Sequence, residues 1–155
     1  MQAPRISVAF VMLVLALTAC ASVAPARALD YATDPMRGYA LDGRDPVAYF
    51  TEHRAVAGNE KLYYSWRGTN WLFRNEGNQA AFVKAPHVYA PAFTGCDPHA
   101  LAQGFAVDGN PGIFALFDGR LLIFHSDINR FLFLADPDES WRVAEDKAER
   151  LGCIP

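Results

Sequence analysis

The sequence predicts an α+β protein in which two repeated helix–β-hairpin–helix units pack as one small domain, followed by a C-terminal helix. Two observations support this prediction. A stretch rich in β-forming residues, with a two-residue turn at its centre and a helical pattern after it, occurs twice in the chain. The chain has 155 residues, of which 52% are hydrophobic, and this length and composition favour a single core.

The second unit has the clearer pattern. The runs Ile113 to Phe117 and Leu121 to Phe124 are apolar and rich in β-formers, and Asp118-Gly119 between them is typical of a hairpin turn. Ser126 follows as a helix N-cap. Apolar side chains then recur at helical spacing, at Ile128, Phe131, Leu132 and Leu134. The pattern predicts a strand, a turn, a strand and a helix, with Asp136-Pro137 closing the unit.

The first unit repeats this order 51 positions upstream, from Leu62 to Pro86. Asn75 stands where Ser126 stands and is an equally suitable N-cap. Five residues are identical at equivalent positions, in the pairs Gly68/Gly119, Phe73/Phe124, Asn78/Asn129, Phe82/Phe133 and Pro86/Pro137. We interpret the two units as an internal duplication, with repeat 1 at residues 38–92 and repeat 2 at residues 93–137.

Each repeat is expected to open with a short helix. Asp45-Pro46 and Asp97-Pro98 supply an aspartate as N-cap and a proline at the first helical position. After repeat 2, Asp136 and Glu139 have capping-box spacing and Gly152 is placed to end a helix. Residues 138–155 are therefore predicted to form a C-terminal helix and tail.

The aromatic side chains are expected to fill the core, because they recur in both repeats within the predicted elements. The set comprises Tyr49, Phe50, Tyr63, Trp66, Trp71, Phe73, Phe82, Phe114, Phe117, Phe124, Phe131 and Phe133.

The N-terminal segment has the features of a bacterial signal peptide. Ile6 to Leu17 is an apolar run of 12 residues, which is short for a membrane span of about 20 residues. Leu17-Thr18-Ala19-Cys20 resembles a lipoprotein box, which predicts a signal peptide at residues 1–19, lipidation of Cys20 and a tether at residues 20–37. The competing site is Ala26-Arg27-Ala28, which would release a soluble periplasmic protein. We expect a protein on the periplasmic side of the cell envelope, held to the membrane by an N-terminal lipid anchor.

The charge of the chain argues against nucleic acid as a partner. The formal net charge is −3 and there is no run of basic residues, whereas nucleic-acid-binding surfaces are strongly basic.

Repeat 1 resembles the YHS domain family. DGRDPVAYF (42–50), RGTNWLFRNEGNQAAF (67–82) and KAPHVYAP (84–91) are similar in order and spacing to the family's opening, strand pair, helix and closing motif. Repeat 2 carries Phe124-His125-Ser126 in the position of the motif that names the family. The resemblance covers about Gly38 to Pro137. It implies a small α+β unit that binds a metal ion through Cys and His.

Several positions that hold ligands in metal-binding YHS units differ in this chain. The position after the Asp-Pro-Val motif holds Ala48 and Ala100, and the ligand position on the following helix holds Asn78 and Asn129. The candidate ligands that remain are His125, His99 and Cys96, with His87 in the link between the repeats as an addition. Because imidazole and thiolate suit copper and zinc, the expected cofactor is copper, with zinc as the alternative.

A disulfide is the competing use of Cys96. If Cys20 is lipidated or removed, Cys96 and Cys153 are an even pair in an oxidising compartment, and a bond between them is the simplest arrangement. Such a disulfide would withdraw Cys96 from a metal site.

Catalysis is not expected. Cys96, Asp97 and His99 are neighbours in sequence, and this proximity alone does not orient a nucleophile and a base. The chain contains no phosphate-binding glycine loop, G-x-S-x-G or H-E-x-x-H motif. The sequence predicts a non-enzymatic envelope protein that handles a transition metal such as copper. The alternative is a metal-free scaffold that binds another envelope protein.

Overall fold

The computed structural model describes residues 31–154, and within them it confirms the predicted α+β class, with helices and two separate two-stranded antiparallel sheets. Repeat 1 contains α1 (Ala48–Thr51), β1 (Asn59–Trp66), β2 (Thr69–Phe73), α2 (Glu76–Lys84) and α3 (Pro86–Tyr89). Repeat 2 contains α4 (Pro98–Gln103), β3 (Asn110–Phe117), β4 (Arg120–Phe124) and α5 (Asp127–Ala135), and α6 (Pro137–Ala148) follows it.

The two hairpins have the same turn. Arg67 and Gly68 join β1 to β2 with φ of 50° and 74°, and Asp118 and Gly119 join β3 to β4 with φ of 48° and 72°. Positive φ at both central residues defines a type I′ turn, which matches the natural twist of the strands. The turn-forming residues in the sequence therefore produce the hairpins that they predict.

A close backbone approach requires a glycine before each hairpin. A Cβ added at Gly58 would lie 2.5 Å from the Leu72 side chain, and one added at Gly109 would lie 2.4 Å from Ile123. The amides of the two glycines donate to the carbonyls of Gly43 and Gly95, both at 2.9 Å. These equivalent contacts place the opening loop of each repeat against the second strand of its hairpin.

The two repeats share one core. Leu121 and Ile123 of β4 pack in the same cluster as Trp71, Phe73 and Phe82 of repeat 1. Residues of repeat 2 form a second cluster with Ala144 and Ala148 of α6, comprising Leu101, Leu122, Phe124 and Phe133 among others. Because the first cluster draws on both repeats, they form one domain.

Tyr49 adds a polar link between the repeats. Its hydroxyl donates to the carbonyl of Pro111 at 2.7 Å, and its ring packs edge-on against Phe114. Burial raises the pKa of Tyr49, so the phenol keeps the proton that this hydrogen bond needs.

The C-terminal helix begins as predicted and ends earlier. The side chain of Asp136 accepts a hydrogen bond from the backbone amide of Glu139, as its capping-box position predicts. The helix ends at Ala148, and a short run of turns leads to Gly152, which has a φ of 72°. None of the helices in residues 31–154 is long and apolar enough to cross a membrane.

The structure corrects two expectations about burial. Phe131 and Tyr63 are mostly exposed, although they were expected in the core. On α5 the buried aromatic side chain is Phe133, so the face that bears Phe131 points away from the core. Tyr31 is buried and packs against Trp66 and Trp71, so a residue of the predicted tether belongs to the core. Cys20 and the signal segment lie outside the described residues.

Candidate functional site

Asp97 is the centre of a buried polar network in repeat 2. The carboxylate is fully buried. Its Oδ1 accepts hydrogen bonds from the backbone amides of His99 and Ala100, at 2.8 and 3.0 Å. Its Oδ2 accepts from the amide of His125 and from Nδ2 of Asn129, both at 2.7 Å. One carboxylate therefore caps α4 and also ties the end of β4 and the helix α5 to it.

Asp45 makes the same four hydrogen bonds in repeat 1. Its Oδ1 accepts from the amides of Val47 and Ala48, at 2.8 and 3.3 Å. Its Oδ2 accepts from the amide of Arg74 at 2.8 Å and from Nδ2 of Asn78 at 2.6 Å. Because every buried polar side-chain atom within residues 31–154 has a partner, these networks are complete.

These networks explain the asparagines at the predicted ligand positions. Asn78 and Asn129 each direct the side-chain amide at the buried aspartate of the same repeat. An amide nitrogen donates a hydrogen bond and has no lone pair available for a metal ion. The sequence predicts Asp45 and Asp97 only as helix caps, and their link to the second helix was not foreseen. The sequence does carry an indication of this link, because Asn78 follows Asp45 by 33 positions and Asn129 follows Asp97 by 32 positions.

Cys96 forms a disulfide with Cys153, which confirms the predicted pairing. The two Cα atoms are 6.1 Å apart, and the bond joins residues separated by 57 positions. Both cysteines are buried. A cross-link over a loop of this length contributes roughly 4 kcal/mol to stability in the chain-entropy model. The expectation that Cys96 could serve as a metal ligand is corrected, because its sulfur is bonded to Cys153 and carries no thiolate.

His125 lies at the exposed end of β4. Its Nδ1 is 3.2 Å from the carbonyl oxygen of Asp108. A carbonyl only accepts hydrogen bonds, so this contact favours the tautomer with the proton on Nδ1 and the lone pair on Nε2. This is the tautomer that a histidine ligand with a carbonyl behind it adopts.

The other candidate ligands do not form a cluster of three or more with His125 in the described residues. His99 is half-buried at the start of α4. His87 is exposed on α3, where its ring packs edge-on against Trp66 at 4.9 Å. Across residues 31–154, no group of three or more His, Cys, Asp or Glu side chains is arranged to hold a metal ion.

Repeat 1 has an ion-pair network where repeat 2 has His125. Arg74 contacts both carboxylate oxygens of Glu52, at 2.8 and 2.6 Å, and Arg54 contacts the same carboxylate at 2.7 Å. The hydrogen bond from Arg54, together with the charge of Arg74, holds the pKa of Glu52 below its usual range. Arg74 offers no ligand atom, so the two repeats differ in chemistry at this position.

A groove lies between α3, the β3–β4 turn and α6. Its volume is about 310 Å³, and aromatic and apolar side chains form much of its walls, including Tyr31, Phe93, Val88 and Trp141. Arg120 stacks over Trp141 at 4.8 Å and pairs with Asp118. Among the lining residues within 31–154, Arg120 and His87 are the only Arg, Lys or His side chains, and none is Asp or Glu.

A smaller cavity of about 180 Å³ lies between the repeats. Its lining combines Leu41 and Asp42 of repeat 1 with Gly109, Pro111 and Ile123 of repeat 2. Leu41 and Asp42 have φ of 53° and 52°, a left-handed conformation that costs energy for residues with a side chain. The equivalent residues Phe93 and Thr94 have the same conformation, so this turn is a feature of the repeat.

Comparisons with family models, curated proteins and solved structures returned no match for this chain. Function must therefore be argued from the geometry of the site itself.

Proposed function

We propose that this protein is a non-enzymatic, disulfide-braced scaffold of the bacterial cell envelope, held by a lipid on Cys20, that binds another envelope protein without metal. One observation carries the proposal. Asn78 and Asn129, which stand at a ligand position of the YHS resemblance, bond the buried aspartates, and the candidate ligand Cys96 is held in the disulfide. The same disulfide supports a non-enzymatic role, because it removes Cys96 as the nucleophile of the group Cys96, Asp97 and His99.

The groove beside Trp141 is the best candidate for the partner-binding surface. It is a concave site with aromatic walls and hydrogen-bonding groups at its rim, which is the usual character of recognition sites. Among its lining residues within 31–154, the charged side chain is Arg120, and none is Asp or Glu. We expect the partner to supply an extended segment with an apolar side chain and a carboxylate, since the Arg120 guanidinium, which stacks on Trp141 and pairs with Asp118, can bind a further carboxylate.

Site-specific photo-cross-linking of the full chain in cells tests this surface. A photo-reactive residue at Val88, which is exposed beside the groove, should give a discrete product with another protein. Arg120→Glu should reduce the yield at least about fivefold, because the reversed charge repels the partner's carboxylate. Arg67→Glu, at the equivalent turn of repeat 1, should leave the yield unchanged. A yield that is insensitive to Arg120→Glu contradicts the proposal.

The intact mass of the same material reports whether the mature chain begins at Cys20 and carries lipid.

Metal binding is the second candidate, and the geometry of His125 favours it. The hydrogen bond to the carbonyl of Asp108 leaves Nε2 free to face an ion. With one clear ligand the site would be open, which suits copper better than structural zinc because structural zinc sites are closed by four ligands. Such binding would weaken in acid, since only the neutral imidazole coordinates.

Calorimetric titration with both copper oxidation states and with zinc separates the two candidates. For a scaffold, we expect no saturable heat at micromolar metal and the same result with His125→Ala. For a metal protein, His125→Ala abolishes binding, whereas His53→Ala, which changes an exposed histidine of repeat 1, does not. Stoichiometric binding by the wild type that is lost in His125→Ala would replace the scaffold proposal with the metal one.

A further inference from the structure

The disulfide joins the two segments whose aromatic rings line the groove beside Trp141. Cys96 directly follows the turn Ala92–Gly95, which carries Phe93. Cys153 follows α6, which carries Trp141. The rings of Phe93 and Trp141 both line the groove, and their centroids are 4.7 Å apart. The position of α6 therefore decides whether the groove has this aromatic wall.

Repeat 1 shows that the opening loop of a repeat does not need this cysteine. Arg44 stands at the equivalent position, and it forms an isolated antiparallel bridge to Ala57 just as Cys96 does to Asp108. The aspartate that follows is fully buried in both repeats and accepts the equivalent four hydrogen bonds. Because the loop of repeat 1 is closed without a disulfide, the distinctive effect of the bond in repeat 2 is to attach the C-terminal segment.

Apart from the disulfide, α6 is attached to the repeats mainly by small side chains. The buried residues of this helix are Ala144 and Ala148, and alanine removes little apolar area from water. Trp141 is half-buried, and Lys147 donates a hydrogen bond to a backbone carbonyl of α4. The connection to α5 at Asp136 holds one end of α6 and the disulfide holds the other, so reduction would leave the helix covalently held at one end.

We propose that the disulfide is a redox switch for the groove. With the bond formed, α6 is held at both ends and Trp141 stays against Phe93. With both thiols free, α6 separates from the repeats and the aromatic wall is lost, while the core that repeat 1 shares with β4 is retained. When the bond forms, a disulfide donor accepts two electrons and two protons and becomes a dithiol. An oxidising compartment supplies such donors, so the groove is completed only there.

Hydrogen exchange of the full chain tests the coupling between the disulfide and α6. In a Cys96→Ala/Cys153→Ala variant, the amides of α6 should exchange at least about tenfold faster than in the oxidised wild type, because the helix opens locally. The amides of β1, β2 and α2 should change by less than about twofold, since their core contains no residue of α6. Equal protection of α6 in both proteins overturns the proposal. A similar loss of protection in both repeats also overturns it, because the bond would then hold the whole domain.

The wild-type chain refolded in dithiothreitol is the matched control. It keeps both sulfur atoms and lacks only the bond between them. Its exchange should match that of the double variant, and oxidised glutathione should restore the protection of α6. If the reduced wild type keeps α6 protected, the change in the variant comes from the missing sulfur atoms and the switch is wrong.

Photo-cross-linking from Val88 tests the consequence for partner binding, and this step rests on the proposed function. In cells, the double cysteine variant should give at least about fivefold less product, because apparent affinity falls with the fraction of chains in the competent conformation. Trp141→Ala, which keeps the disulfide and removes the ring, should lose the product to a similar extent. An unchanged yield from the double cysteine variant contradicts the switch. If the wild type gives no product, the proposed partner surface is wrong, and hydrogen exchange still decides whether the disulfide controls α6.

Discussion

Replacing Asp97 by alanine is expected to lower the free energy of unfolding by about 4 kcal/mol or more. The change removes the acceptor of four hydrogen bonds at a fully buried position. Each buried donor left without a partner costs about 1–3 kcal/mol, although the costs do not add fully. Small domains have a total stability of about 5–15 kcal/mol, so this single substitution removes a large part of it.

Chemical denaturation of a matched set of variants measures the effect. Asp45→Ala should cost a similar amount, because Asp45 accepts the equivalent four hydrogen bonds. Asn129→Ala should cost less, about 1–2 kcal/mol, since it removes one donor and leaves the backbone donors in place. Asp146→Ala, an exposed aspartate on α6, should change stability by less than about 0.5 kcal/mol. An Asp97→Ala variant as stable as Asp146→Ala would show that the network contributes little.

Replacing Phe133 by alanine is expected to cost about 3–5 kcal/mol. The ring is fully buried, and its centroid lies 5.5 Å from that of Phe124 and 5.9 Å from that of Phe117. Its removal leaves a cavity that neighbouring rings on a strand pair cannot easily fill. The equivalent ring of repeat 1, Phe82, lies 5.0 Å from Trp71, and Phe82→Ala should have an effect of similar size.

The control for this substitution lies two residues away on the same helix. Phe131→Ala makes the same chemical change at a ring that is mostly exposed, so it should alter the stability of the monomer by less than about 0.5 kcal/mol. The free energy of unfolding of both variants should be measured by chemical denaturation at the same protein concentration. Equal losses for Phe131→Ala and Phe133→Ala would contradict the buried face that the structure assigns to α5.

The sequence was a good guide to local structure and a weaker guide to α5 and to the site. The hairpin turns and the caps at Asn75, Ser126 and Asp136 were correctly predicted, because each depends on residues within a few positions of one another. The face of α5 was not, because Phe131 to Ala135 is a continuous apolar run whose spacing does not distinguish Phe131 from Phe133. Only packing against the hairpin selects the inner face.

The candidate metal site shows the same limit. The sequence predicted one site from His125, His99 and Cys96 because all three lie in repeat 2. The sequence also offered the disulfide of Cys96 with Cys153, from cysteine parity, and the structure shows that alternative. Whether side chains near one another in a sequence converge on one point depends on the directions in which strands and helices present them.

The sequence by itself determined the duplication, the α+β class and the order of elements, and it offered the pairing of Cys96 with Cys153 as one of two uses of Cys96. These features follow from short-range turn and capping chemistry, from hydrophobic patterning and from the count of cysteines. Only the tertiary structure decided that Asp45 and Asp97 each join two helices and that α5 presents Phe131 to solvent. Asp97 and Asn129 are 32 positions apart, and a hydrogen bond between them exists only because the folded hairpin brings α4 and α5 together.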